Sequence, residues 1–469
     1  MSAEKHKVVY VCDACGAETP KWEGRCPACK QWNSLAEVRR GRTTGTVWVG
    51  KADGAVRELA VVSADEQPRI VVSSKEVNRV LGGGLVPGSV VLIAGDPGIG
   101  KSTLLLRLAA DVCGSKGKTL YVSGEESAAQ VKMRADRLGV SGQNLYLLPA
   151  TSLNDVLDHL DEHRPVLAVV DSIQTIYDTS LPSEPGSVAQ IRDCTRKLMM
   201  WAKSRGVPMV LSGHVTKGGD IAGPRALEHM VDVVLHMEGE SLSAWRLLRT
   251  VKNRFGSTNE VGILEMTERG LVDVEDPSKA FLSERREGTV GSVIVSTMEG
   301  TRPLLAEVQA LTTPAALAAP RRMATGIDFN RLLLVCAVLS RRVGMELSSQ
   351  DIVVNVTGGL KVNEPAADLG LALAIASSFR NAPLAPDAAA IGEVGLSGEV
   401  RRVPQLDRRV NEVSRLGLRR CLAPANDGHD PGLHEDMEVV SVSSLAEAVS
   451  YCIPSGRRRP KDAPWPNQV

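Results

Sequence analysis

At 469 residues the chain is too long for one hydrophobic core and divides by length into two or three domains. Its 55 basic residues balance 55 acidic ones, so bulk charge points to no nucleic-acid or membrane partner and any such binding must come from local patches. Aromatics at 3% argue against an extensive base-stacking platform, no apolar run approaches the ~20 residues of a membrane span, and the N-terminal Met1-Ser-Ala-Glu-Lys-His-Lys7 lacks a signal peptide's apolar core, so a soluble cytoplasmic protein is expected.

In chain order, the first signal is Cys12-Asp-Ala-Cys15 and Cys26-Pro-Ala-Cys29, two CxxC turns ten residues apart. Two such knuckles can aim four thiolates at one tetrahedral Zn²⁺. The rival reading, a redox pair, needs only one CxxC and a βαβ context that is missing here. Residues 1–34 are therefore expected to form a zinc module that needs its metal to fold, followed by a linker over 35–67. The other five cysteines, Cys113, Cys194, Cys336, Cys421 and Cys452, sit in apolar surroundings and read as buried, inert thiols.

Residues 68–270 alternate short apolar runs with helical patterns, which predicts an α/β domain with a mostly parallel sheet. Strands are expected at Val90–Ala94, Thr119–Ser123, Val166–Asp171, Pro208–Gly213 and Val231–Met237. The first runs straight into Gly95-Asp96-Pro97-Gly98-Ile99-Gly100-Lys101-Ser102-Thr103, a G-x-x-x-x-G-K-[ST] loop followed by the helical Leu104-Leu-Leu-Arg-Leu-Ala-Ala110. In that context the loop's backbone N–H groups cradle nucleotide phosphates, Lys101 reaches the β/γ oxygens and the Ser102 hydroxyl ligates Mg²⁺.

Later strand ends supply further polar groups. Asp171 closes an apolar strand, where a P-loop fold places the carboxylate that holds Mg²⁺ through water, although an Asp N-cap fits the same position. Tyr121-Val-Ser-Gly-Glu125-Glu126-Ser127 ends in paired carboxylates; Glu125 is the candidate to polarise the attacking water, with Glu126 as a helix cap or solvated charge. His214, in Leu211-Ser-Gly-His214, could sense the γ-phosphate or be a satisfied neighbour. Lys217 and Arg225 bracket a Gly-rich loop that could grip a phosphate backbone or be ordinary surface. Lys252 and Arg254 follow the strand-like Trp245–Val251 and, at i and i+2, project from one side of an extended chain. They could reach one anionic target, including the nucleotide of a neighbouring subunit, or be an exposed basic strand end.

Together the CxxC pairs, Leu81-Gly-Gly-Gly-Leu-Val-Pro-Gly88, Ser123-Gly-Glu-Glu-Ser127, Gly213-His-Val-Thr-Lys217 and Lys252-Asn-Arg-Phe-Gly256 resemble the bacterial RadA (Sms) family, over nearly the whole chain to about residue 452. The resemblance implies a RecA-type ATPase core, a hexameric ring, ATP-driven movement on single-stranded DNA, and work beside the RecA recombinase on branched DNA intermediates. It implies Lys101 and Ser102 on nucleotide and metal, and Lys252 and Arg254 as the family's signature basic pair, with roles in DNA engagement and conformational change that are not separable here.

Residues 290–455 read as a second α/β domain after a linker at 271–289, and 456–469 as a disordered basic tail. Gly358-Gly-Leu-Lys-Val-Asn-Glu-Pro-Ala366 and Gly392-Glu-Val-Gly-Leu-Ser-Gly-Glu-Val400 resemble the Lon peptidase domain, with Ala366 at the serine position and Asp407 at the lysine position. Neither half of a Ser–Lys dyad is then present, which leaves the fold as a scaffold. A DNA motor is the leading reading, with a zinc-dependent, ATP-switched regulator and an ATP-dependent protease as alternatives.

Overall fold

The computed structural model describes residues 7–12, 17–32, 34–40, 68–214, 227–239, 244–283, 285–286, 288–316, 319–425 and 437–453. Cys15, Lys217, Arg225 and the tail at 456–469 lie outside the described residues. Two compact units are present, one ending at Asp273 and the other starting at Val274.

The first unit opens with a small antiparallel sheet, β2 (Glu18–Thr19) – β1 (Lys7–Cys12) – β3 (Leu35–Arg40). Strand β3 lies beyond the expected end of the zinc module at residue 34, because β1 pairs along its full length with it, from Lys7 opposite Arg40 to Cys12 opposite Leu35.

Helix α1 (Lys75–Leu81), capped by Ser74, precedes a nine-stranded sheet. Its parallel part comprises β4 (Val90–Gly95), β5 (Thr119–Ser123), β6 (Leu145–Pro149), β7 (Leu167–Asp171), β8 (Met209–His214) and β9 (Val233–Glu238). The antiparallel strands β10 (Trp245–Asn253), β11 (Val261–Thr267) and β12 (Gly270–Asp273) extend it, giving the order β12-β11-β10-β9-β4-β8-β7-β5-β6. Alternate residues of each parallel strand feed two cores. Val91, Ile93, Tyr121, Leu167 and Val169 pack on the side of α2 (Lys101–Ser115) and α3 (Ala128–Arg137). Val90, Leu92, Leu120, Val122, Ala168 and Val170 pack on the side of α4 (Leu153–His163) and α5 (Val188–Arg205). Burial on both faces is what makes these strands read as continuous apolar runs. Strand β6 escaped prediction because its residues are only half-buried or exposed, and β9 starts at Val233 rather than Val231 because buried Asp232 turns its carboxylate back to the Val90 amide at 3.1 Å.

The second unit begins with α6 (Pro277–Leu282), inside the stretch read as a linker. Asp276 caps it and receives two hydrogen bonds from Arg415 at 2.7 and 2.8 Å, which hold its carboxyl down at about 2. A seven-stranded mixed sheet follows, formed by β13 (Ser292–Glu299), β14 (Arg302–Pro314), β15 (Arg322–Thr325), β16 (Gln350–Val356), β17 (Ala388–Ala390), β20 (Arg420–Pro424) and β21 (Glu438–Val442), in the order β15-β16-β14-β13-β17-β20-β21. Helices α7 (Phe329–Arg342), α8 (Asp368–Arg380), α9 (Leu406–Arg415) and α10 (Leu445–Cys452) cover it, and β18 (Glu393–Val394) pairs with β19 (Val400–Arg401).

Ala366 is buried immediately before α8, and Asp407 is an exposed residue in the first turn of α9. Two ion pairs bracket Ala366 in sequence. Arg409, 1% exposed, clamps both Glu364 oxygens at 2.6 Å and donates to the Ser296 carbonyl at 2.8 Å. Arg331 holds Asp368 at 2.9 and 2.5 Å, and burial still pushes that carboxyl up to about 6. In the same unit Arg322 is committed to the carbonyls of Gln350 and Leu347.

Removing one partner of a buried pair strands the other charge. Arg409→Met should therefore destabilise the full chain by about 3–5 kcal/mol, read as a lowered first midpoint in urea; an unchanged midpoint would contradict the assigned role.

Candidate functional site

In the zinc module the turn Cys26–Lys30 closes with Lys30 N donating to the Cys26 carbonyl at 2.8 Å and Cys26 N to the Gln31 carbonyl at 2.9 Å; Lys30 takes a positive φ of 61°. This brings the Cys26 and Cys29 sulfurs to Cys12, all within 4.8 Å of one another, with Cys12 and Cys29 3.6 Å apart. A tetrahedral Zn²⁺ with bonds of ~2.3 Å needs thiolates ~3.8 Å apart, so the three described thiols fit zinc. Among the described residues, the five remaining cysteines stay outside any such cluster. Burial pushes the thiols of Cys194 and Cys421 up to about 12 and that of Cys452 up to about 11, and raises Cys113 and Cys336, which keeps all five protonated and inert.

The phosphate-binding loop lies between β4 and α2. Asp96, Pro97 and Gly98 form its exposed crest, while Gly98 and Gly100 take φ of 79° and 116°, a backbone that side chains resist. A Cβ at Gly100 would also stand 2.7 Å from the Met266 terminal methyl. Gly100 opens α2 without a side-chain cap, so the first-turn amides of Lys101, Ser102 and Thr103 are free for an anion. Lys101 is buried and donates from Nζ to the Gly95 and Asp96 carbonyls at 2.9 and 2.8 Å. Burial lowers its pKa, against an upward pull from Asp171, Glu125 and Asp96. The Arg246 guanidinium braces the loop by donating to the Ile99 carbonyl at 3.0 Å.

Strand register gathers the other predicted groups at the same edge. Gly95 lies opposite His214 on β8, and Ser123 opposite Asp171 on β7. Asp171 is buried and accepts from the Tyr121 hydroxyl at 2.7 Å. Gly124 lets the end of β5 pass β7, because a Cβ there would meet the Thr175 hydroxyl at 1.8 Å. Glu125 then accepts from the Ser172 hydroxyl and lies 3.2 Å from His214 Nε2, while His214 Nδ1 is buried with no hydrogen-bond partner among the described residues. Glu126 is not a cap. Ser127 caps α3 in a box with Gln130, and Glu126 pairs with Arg134. Tyr121, Ser172 and Arg246 were not legible as site residues.

Lys252 and Arg254 lie at the other end of the sheet. A bulge between Thr250 and Lys252 and the end of β10 at Asn253 still leave both facing one segment. Lys252 Nζ donates to the Glu228 and Val231 carbonyls at 2.7 and 2.8 Å, and Arg254 donates to Asp232 at 3.1 Å. Burial, then the charge of Arg254, lowers the Lys252 pKa. Arg254 N donates to the Asp232 carbonyl, and Asp232 N to the carbonyl of Val90, at the start of β4. Five residues of strand, or ~16 Å, separate that level from Gly95. The two cations therefore lie at the opposite end of the strands from the phosphate loop of their own chain.

If the thiols hold zinc, Cys26→Ser with Cys29→Ser should lower the metal content from about one zinc per chain to almost none, measured by atomic emission; full metal content in the double variant would refute the site.

Comparison with known proteins agrees with this geometry. Residues 55–220 match the family described as an AAA domain, residues 10–37 the rubredoxin metal binding domain, and residues 331–427 the subunit ChlI of Mg-chelatase. The DNA repair protein RadA of Halalkalibacterium halodurans is 50% identical over 453 residues, covering 96% of this chain and 99% of that protein. The DNA repair protein RadA of Bacillus subtilis is 49% identical over 450 residues, 95% of this chain and 98% of its own length, and that of Listeria monocytogenes 47% over 458 residues, 97% and 100%. An AAA domain uses ATP with Mg²⁺, and the ribbon with its clustered thiols takes Zn²⁺. With relatives at this identity over nearly their whole length, the chain belongs to the RadA family of DNA repair proteins.

Proposed function

We propose that the chain is a cytoplasmic, DNA-stimulated ATPase that assembles as a hexameric ring, moves on single-stranded DNA and works beside the RecA recombinase on branched recombination intermediates. The observation that carries this reading is the division of the sheet. Phosphate-loop groups sit at one edge, and the basic pair Lys252/Arg254 sits at the other, which supports a role for the pair toward a neighbouring subunit's nucleotide or DNA. A head-to-tail interface that closes into a ring supplies such a neighbour.

The roles follow from position. Backbone amides from Gly98 to Thr103 receive the phosphates, Lys101 neutralises the β/γ oxygens, and Ser102 with Asp171 holds Mg²⁺. Held there, the ion would supply charge that offsets the negative charge developing on the phosphoryl oxygens. Glu125 orients the attacking water and accepts its proton, and Ser172 and His214 fix that carboxylate. Because His214 ends a strand beside Gly95 and touches Glu125, it couples the state of the γ-phosphate to the segment that follows it, which includes Lys217 and Arg225 as candidate DNA contacts. Lys252 and Arg254 stabilise transition-state charge in the adjoining site. Proteolysis is not supported: Ala366 has no nucleophilic oxygen, and Asp407 has no amine.

ATP hydrolysis should rise on addition of single-stranded DNA, and Lys101→Ala should lower it about 10²–10³-fold, in a chain that sediments as a ring with nucleotide bound. Full turnover in Lys101→Ala would contradict the site, and turnover indifferent to any DNA would favour the ATP-switched regulator instead.

A further inference from the structure

The zinc ribbon carries a feature that neither its metal nor its fold requires. Its small core consists of Cys12, Cys26 and Leu35, with Tyr10 and Ala17 packed against them, yet Trp22 and Trp32 are left 57% and 69% exposed. Both rings approach one point of the backbone. A Cβ built on Gly24 would stand 3.7 Å from the Trp32 ring and 3.9 Å from the Trp22 ring, so the missing side chain keeps the floor between them open. The turn that carries Cys26 and Cys29 positions the second ring, because Arg25 and Trp32 form the bridge that closes it. Arg25 donates to the Lys30 carbonyl at 2.6 Å and sets its guanidinium 5.7 Å from the centre of the Trp32 ring. Lys21, Arg25 and Lys30, in the same stretch of chain as the rings, are all exposed, as is Glu23.

We propose that Trp22 and Trp32 form a stacking site for unpaired bases of single-stranded DNA, with Lys21, Arg25 and Lys30 on the flanking phosphates. Two aromatic faces with local cations match a chain that is anionic along its backbone and has open π-faces. Duplex DNA hides those faces in its stack, and an apolar protein surface would have to desolvate the exposed cations Lys21, Arg25 and Lys30. The proposal rests on the DNA reading above and deepens it by locating a contact outside the ATPase domain.

The test uses the full-length, zinc-loaded chain with an oligothymidylate bearing 5-iodouracil, irradiated and mapped by mass spectrometry, alongside equilibrium binding of the same oligonucleotide to Trp22→Ala/Trp32→Ala. Cross-links on Trp22 or Trp32, and about ten-fold or greater weakening in a double variant that retains its zinc, are expected. A wild-type chain that binds the oligonucleotide without cross-linking to either ring, with a zinc-retaining variant that binds equally well, overturns this site and leaves the DNA-stimulated ATPase intact. Loss of a protein partner by that variant, with unchanged DNA binding, reassigns the surface to protein and also overturns it. Failure of the wild-type chain to bind single-stranded DNA at all overturns both this site and the broader reading.

Discussion

Strand β4 lies between two parallel neighbours, and the register of those pairings decides where every charged group of the ATPase domain ends up. Gly95 is level with His214 on one side and Met237 on the other. From that alignment the loop, Lys101, Asp171, Glu125 and His214 converge at the carboxyl ends of the strands, where helix α2 offers its free amides. The reversal from β9 into antiparallel β10 carries the chain back to the opposite edge and leaves Lys252 and Arg254 there, held by Val231 and Asp232. One register thus produces both a nucleotide-binding edge and a basic edge.

In the second unit, ion pairs fix the segment around position 366. Position 366 is a buried methyl group between Glu364 and Asp368, each locked by a bidentate arginine. Buried pairs of this kind cost desolvation and repay it only with good geometry and further hydrogen bonds, which Ser296, Met298 and Val394 supply. The segment is built for rigidity, with no free base or nucleophile at that position.

Much of this was legible in the chain itself, for a physical reason. The phosphate loop, the CxxC turns and the apolar parallel strands are local patterns, and local patterns survive in a linear string. The nonlocal partners do not. Tyr121 meets Asp171 50 residues away and Ser172 meets Glu125 47 residues away, so neither carries a signal of its own. Half-buried β6 and short β12 were obscured because they lack the continuous apolar run of a strand covered on both faces, whereas β10 was legible as the strand-like Trp245–Val251. Boundaries moved where a strand needed a partner, as with β3 beyond residue 34, or where a cap was overlooked, as with Asp276-Pro277 at the start of α6.

The claim that each ATPase site is shared between subunits is tested most directly by mixing two inactive variants, Lys101→Ala and Arg254→Ala, in equal amounts before assembly. In a head-to-tail ring about a quarter of random interfaces pair an intact phosphate loop with an intact arginine, so hydrolysis should return to about a quarter of the wild-type rate. Mixed rings that form and remain inactive, or an Arg254→Ala chain that is fully active alone, would contradict it.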